Sequence, residues 1–226
     1  MAKKALMIVA FDKFRDEEYA QPKEVLEKAG FQITTASSQL GEATGRFGLK
    51  AKVDLTLDNV RVADYDAILF IGGPGSHDYY KDPVAHYLAQ EAVKQNKLLG
   101  AICAAPGILA NAGVLAGKKA TVHEGDIETV VKGGADYTGK GVEIDGKIIT
   151  ATGPSTAKAR AETIVKHLTS CRNTFGRSDW IWKTPSSLKF SGRSLNCLSS
   201  RTRTALRSAL TRKPPKISRT YQKTWP

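Results

Sequence analysis

Cys103, Glu18, His123 and the glycine loop Gly72-Gly73-Pro74-Gly75 are the residues of this chain whose types and placement can do chemistry together. Cys103 ends the apolar run Leu98, Leu99, Ala101 and Ile102, and a helix-compatible segment of small residues, Ala104 to Gly113, follows it. The pattern reads as strand, sharp turn, helix. It places the thiol where unpaired N–H groups and the helix dipole favour negative charge, which would lower its pKa. A cysteine nucleophile also needs a group to move protons, and N–H donors for the oxyanion formed when a carbonyl is attacked. Glu18 can hold the thiol proton or shuttle one on a substrate. The N–H groups of Gly73 and Ala104 can form the oxyanion site, with Gly72 and Gly75 letting the backbone approach closely. His123 can act as acid or base, its ordinary pKa of about 6.5 lying near the working pH.

Each residue also has a plainer reading. A free cysteine is often a small buried hydrophobe, and apolar burial keeps a thiol inert. Glu18 can be an exposed first-turn carboxylate, the glycine loop a common turn, and His123 a structural histidine. His77 and His86, at or near a helix start, read as solvated. No Cys or His spacing resembles a metal site, so no metal is expected.

The elements that must position these groups alternate. Ala5 to Ala10 and Asp66 to Ile71 are continuous apolar runs of strand length, as in parallel strands covered on both faces. Phe31 to Ala36, Leu98 to Ile102, Lys119 to Val122 and Lys147 to Ala151 add further strands, and Ala51 to Val60 reads as an edge strand or hairpin. Helices are expected around Val25, Leu26 and Ala29 with Pro22 in the first turn, over Asp82 to Lys94 and Ala104 to Ala112, and through Ala157, Ala161, Ile164, Val165 and Leu168. Strands alternating with helices imply an α/β fold: a flavodoxin-like three-layer αβα sandwich with a central, mainly parallel sheet. Ligands bind beyond the carboxyl ends of such strands, and Glu18, the glycine loop, Cys103 and His123 each follow a strand in that sense.

Charge divides the chain in two. Residues 1–168 carry 21 basic and 21 acidic residues, whereas residues 169–226 carry 13 basic residues and the single acid Asp179, so the whole net charge of +12 lies in the tail. Residues 1–168 read as one enzyme-sized domain. Residues 169–226, rich in Ser, Thr, Arg and Lys, read as a disordered tail: an arm for nucleic acid or an anionic surface, or an extension from a misread or frameshifted terminus. A domain with one cysteine of the three cannot build a disulfide framework, and no stretch reads as a signal peptide or membrane span, so the expected location is cytoplasmic.

Phe14-Arg15-Asp16-Glu17-Glu18-Tyr19 with Pro22, IGGPG at 71–75, AICAAPGILA at 101–110, His123, and TGPST at 152–156 together resemble the PfpI and parkinsonism-associated deglycase superfamily over about residues 3–168. The resemblance implies the class I glutamine-amidotransferase-like fold. It implies Cys103 as reactive cysteine, Glu18 as its hydrogen-bonded glutamate, Gly73 and Ala104 as oxyanion donors, and His123 as the histidine facing the cysteine. It also implies a homodimer or homohexamer whose active-site rim lies near a subunit interface, where Arg46 or Lys50 could reach a neighbouring site. Peptidases of the family carry a histidine directly after the cysteine, and here that position is Ala104. The alanine resembles the branch acting on methylglyoxal and related carbonyls, without a cofactor. Expected substrates are therefore small aldehydes or glycated proteins, as in a glyoxalase or deglycase. A PfpI-type peptidase and a non-enzymatic redox sensor or chaperone-like stress protein using Cys103 are the alternatives. On this reading, replacing Glu18 with Gln should lower activity and raise the cysteine pKa.

Overall fold

A computed structural model describes residues 2–169. The expectations for the tail, including Cys171 and Cys197, fall outside these residues. Seven strands form the central sheet: β1 (Lys4–Ile8), β3 (Gln32–Ser37), β6 (Leu55–Thr56), β7 (Ala67–Phe70), β8 (Leu98–Ile102), β11 (Val142–Asp145) and β12 (Ile148–Ala151). Their order is β11-β12-β8-β7-β1-β3-β6, and every pairing is parallel except that of β11 with β12. β7 and β8 are buried at every position because helices cover both faces, which is why they read as continuous apolar runs rather than as alternation.

Two helical groups flank the sheet. α1 (Asp16–Lys28) packs on α5 (Ala157–Thr169), while α2 (Pro83–Lys94) packs on α3 (Pro106–Asn111), and α3 on α4 (Ile127–Lys132). β8 touches α2 and α3 as well as α5, so the expected α/β sandwich is observed. Leu6, Met7, Ile8, Leu69 and Leu88 are among the fully buried side chains, each contributing about 1.5–3 kcal/mol of hydrophobic stabilisation.

The chain leaves β1 for β3 and β6 on one side, then returns to β7 on the other. The switch point thus lies between β1 and β7, and the glycine loop and Cys103 follow β7 and β8 there.

Several elements depart from the sequence reading. α1 begins at Asp16, so Pro22 sits inside the helix; three first-turn acids, Asp16, Glu17 and Glu18, favour the earlier start by complementing the helix dipole. The segment Lys119–Val122 supplies only β9 (Lys119–Ala120), which pairs with β10 (Asp136–Tyr137) outside the main sheet. Residues 51–60 are divided: β5 (Lys50–Val53) joins β2 (Asp12–Phe14) and β4 (Gly41–Gly45) in a small separate sheet, and only β6 reaches the main one. β4, reading GEATG, gave no apolar signal, and the hairpin that it forms with β5 carries Arg46.

Candidate active site

Cys103 stands at an elbow of positive φ, +60°, between β8 and α3. Left-handed backbone costs a non-glycine residue on the order of 1–2 kcal/mol, and it persists where surrounding bonds determine it. Here the Cys103 N–H donates to the Ala151 carbonyl at 2.9 Å, and the Cys103 carbonyl accepts from the His123 N–H at 3.0 Å. The second bond brings His123 to the site although no main-sheet strand leads to it.

Glu18 comes from the first turn of α1 and is fully buried. Its placement depends on Gly72: a Cβ there would lie 2.6 Å from Glu18 Oε2, 2.6 Å from Cys103 Cβ and 2.5 Å from the Ile102 carbonyl oxygen. The carboxyl therefore occupies space that any side chain at residue 72 would claim. It lies against the thiol and the Gly72 N–H without a hydrogen bond of good geometry to either.

Burial raises the Glu18 carboxyl to about 7, against the pull of the Cys103 thiol, Arg160, Arg15 and the Gly72 N–H. Burial, then the Glu18 charge, pushes the Cys103 thiol up to about 12, while the N–H groups of Ala104 and Gly73 pull it down. This corrects the expectation of a thiol pKa lowered by a helix end. α3 starts three residues later, at Pro106, and is six residues long, so two loop N–H groups face the sulfur instead. One proton is shared by the pair. An ionised Glu18 keeps the thiol protonated, and moving that proton to Glu18 removes the opposing charge and frees the thiolate.

Gly73 and Ala104, expected as oxyanion donors, both line the cleft with Cys103. Gly73 has φ +110°, and a Cβ would meet the Arg15 nitrogen at 2.5 Å, so this position also requires glycine. Gly75 serves packing instead: it is buried, and a Cβ would lie 1.9 Å from the Asp12 carbonyl oxygen. Gly72 likewise works from behind the cleft wall, through Glu18.

The cleft, of about 340 Å³, also takes in Arg15, Arg46, His77, His123 and Asp126. His123 Nδ1 accepts from the Gly125 N–H at 3.1 Å, which places the ring proton of the neutral form on Nε2. Its Nδ1 lies 3.9 Å from Asp126 Oδ2. His77 belongs to the site and is not simply solvated: Nε2 is 2.9 Å from Asp126 Oδ1 and Nδ1 is 3.0 Å from the Pro74 carbonyl oxygen. Both partners only accept, so both ring nitrogens must donate. Burial lowers the His77 pKa, but the Pro74 carbonyl and the Asp126 carboxylate outweigh it and hold His77 above its ordinary value. The Tyr80 hydroxyl lies 2.7 Å from Asp126 Oδ1 and 2.8 Å from the Ala104 carbonyl oxygen, tying Asp126 to the elbow.

Sequence reading missed Asp126, Tyr80 and the role of His77, which come from irregular segments without periodic signal. It also missed Arg160, a fully buried residue of α5 whose three guanidinium nitrogens have no hydrogen-bond partner among the described residues. Among those residues no group of three or more His, Cys, Asp or Glu side chains could hold a metal ion. No helix among them is long and apolar enough to cross a membrane.

Residues 3–167 match the model of the DJ-1/PfpI family. The chain belongs to the DJ-1/PfpI family. Among its relatives, an uncharacterized protein of Methanocaldococcus jannaschii is 40% identical over 166 residues, covering 72% of this chain and 81% of that protein. Deglycase PH1704 of Pyrococcus horikoshii is 31% identical, covering 73% and 99%. The glutathione-independent glyoxalase DJR-1.2 of Caenorhabditis elegans is 31% identical, covering 74% and 89%. The solved structure of a ThiJ/PfpI domain protein from Brachyspira murdochii superposes with a TM-score of 0.74 at 30% identity, covering 75% of this chain and 98% of its own. The DJ-1/PfpI relatives thus bear enzyme names of more than one reaction type.

Proposed function

We propose that this protein is a cofactor-independent, cysteine-dependent enzyme acting on reactive α-oxoaldehydes, of glyoxalase or deglycase type. The observation that carries the reading is the buried Glu18–Cys103 pair, with Ala104 rather than a histidine after the cysteine. A carboxyl with a pKa near 7 can both take and return a proton at neutral pH. The glyoxalase and deglycase relatives support the same chemistry.

For methylglyoxal the steps are these. Proton transfer to Glu18 leaves the Cys103 thiolate, which adds to the aldehyde carbon; the new alkoxide faces the Gly73 and Ala104 N–H groups and takes up a proton, giving a hemithioacetal. A proton leaves the thiol-bearing carbon and one is added at the neighbouring carbon, through an enediol. Glu18, behind the sulfur, and His123, on the open side, serve as base and acid. The resulting lactoyl thioester is cleaved by water, releasing lactate and restoring the thiol. The net reaction adds one water and needs no oxidant. The test is Cys103→Ala: lactate formation from methylglyoxal should vanish, and retention of turnover would remove the cysteine from the mechanism.

A further inference from the structure

The mechanism above uses neither arginine in the cleft. Arg15, between β2 and α1, and Arg46, in the β4–β5 hairpin, arrive from separate segments and place their guanidinium carbons 4.7 and 5.7 Å from the centre of one ring, Phe47. Phe47 is 63% exposed, so its share in the core is slight, and its ring lies within cation–π distance of both guanidinium groups. The hairpin is fixed by backbone rather than by the charge of Arg46. Asp16 accepts from the Phe47 N–H at 2.9 Å and the Leu49 N–H at 2.8 Å, and the Arg46 N–H donates to the Phe14 carbonyl at 2.8 Å. Gly45 makes room for the Asp16 carboxyl, which lies 2.6 Å from where a Cβ would be.

Charge balance leaves the arginines available. Glu17 engages only Nε of Arg15, at 2.9 Å, leaving its terminal nitrogens. Among the described residues Arg46 has no acidic partner within 4.0 Å. The carboxylate in the cleft, Asp126, is already matched by His77 and Tyr80. Two like charges held against one ring repel each other, and an oxyanion between them would relieve that repulsion through forked hydrogen bonds. The cleft also has room beyond a three-carbon dicarbonyl, since a water occupies about 30 Å³ of liquid.

We infer that Arg15 and Arg46 form an anion clamp, and that the substrate is an α-oxoaldehyde bearing a carboxylate or phosphate at the end away from the carbonyl attacked by Cys103. The substrate's reacting end rests on the carbonyl reading above; the clamp itself does not. The experiment therefore has two arms on the full chain. In the first, Cys103 is alkylated by iodoacetate and by iodoacetamide and followed by peptide mass. The ratio of the two rates should exceed that of glutathione, fall about fivefold or more in Arg15→Gln and Arg46→Gln, and fall with added salt. A ratio equal to glutathione's and unmoved by either variant overturns the clamp. In the second arm, methylglyoxal is compared with 4,5-dioxopentanoate and hydroxypyruvaldehyde phosphate. One anionic substrate should exceed methylglyoxal about tenfold or more in kcat/KM, with Arg46→Gln reducing that advantage, and the better of the two distinguishes carboxylate from phosphate. An arginine-dependent alkylation ratio without turnover of any dicarbonyl sustains the clamp and defeats the carbonyl reading. Turnover with an arginine-independent ratio does the reverse.

Discussion

Glu18 and Cys103 meet across residue 72: the Cβ that glycine lacks would lie 2.6 Å from Glu18 Oε2 and 2.6 Å from Cys103 Cβ. The helix carrying the glutamate and the elbow carrying the cysteine are thus brought together by an absent methyl group. Gly72→Ala should drive the carboxyl away from the sulfur by about 1 Å and lower kcat/KM for methylglyoxal on the order of 10²-fold, because proton transfer depends steeply on reach. The chain should still fold, since the adjoining strands are unchanged. Steady-state kinetics beside a thermal melt checks this, and undiminished turnover in a folded variant would show that the contact is not used.

Glu18→Gln separates the charge of the carboxyl from its shape. The sequence reading expects the cysteine pKa to rise in this variant, whereas the structure points the other way. After burial, the Glu18 charge is what holds the thiol up, so its removal should lower the thiol pKa from about 12. The pH at half-maximal Cys103 alkylation should move down, while kcat falls by about 10²-fold or more for want of the proton carrier. A change in rate without a change in the alkylation profile would mean that Glu18 does not share a proton with the thiol.

The same residue sets a stability signature. Its folded pKa of about 7 exceeds the ordinary 4.5, so between those values the folded chain keeps a proton that the unfolded chain has released. Stability from the protonated carboxyl is complete below about 4.5 and is lost as pH rises through 7, by roughly 3 kcal/mol. The wild-type melting temperature should fall from pH 5 to pH 8, and that of Glu18→Gln should fall less. Parallel curves for the two proteins would show that Glu18 ionises as an exposed carboxylate does.

These groups were legible to different degrees. Cys103, Gly73 and Glu18 follow long apolar strands or open a helix, and the rule that ligands sit at strand carboxyl ends places them. His123 was found by type, although the strand thought to deliver it is only two residues long and lies outside the main sheet. Asp126, His77 and Tyr80 belong to tight turns whose contacts span 46 and 49 residues, and no local pattern encodes them. Arg160 is different: it lies three residues after Ala157 and four before Ile164, on the apolar stripe of its helix, but the reading of that stripe passed it over because an arginine is ordinarily exposed. Thiol electrostatics failed for a physical reason. Dipole reasoning omitted desolvation, which dominates at this site.

Asp126→Asn tests the cluster opposite the thiol. The carboxylate holds His77 above its ordinary pKa, so the stabilisation from this pair is present below about 6.5 and is lost as pH rises through the folded value of His77. In Asp126→Asn the NMR-titrated pKa of His77 should drop, and the dependence of melting temperature on pH above 6.5 should flatten. Asp126 also ties Tyr80 to the Ala104 carbonyl, so slower turnover should accompany both changes. An unshifted His77 would mean that the Pro74 carbonyl alone sets its protonation.

Arg160→Met poses the sharpest contrast between stability and chemistry. The guanidinium is fully buried without a hydrogen-bond partner among the described residues, and burial lowers its pKa to about 10, with the Glu18 charge opposing that fall. A buried cation without close partners carries a large desolvation cost, so a methionine of similar length should leave stability unchanged or raise it by about 1–3 kcal/mol. Its field nevertheless favours ionised Glu18, and without it the Glu18 pKa should rise above about 7. The alkaline end of the melting curve and the pH profile of turnover should then both move upward. A stabilised variant with an unmoved profile would mark Arg160 as a packing residue only, whereas a shifted profile places it among the groups that set the proton shared by Glu18 and Cys103.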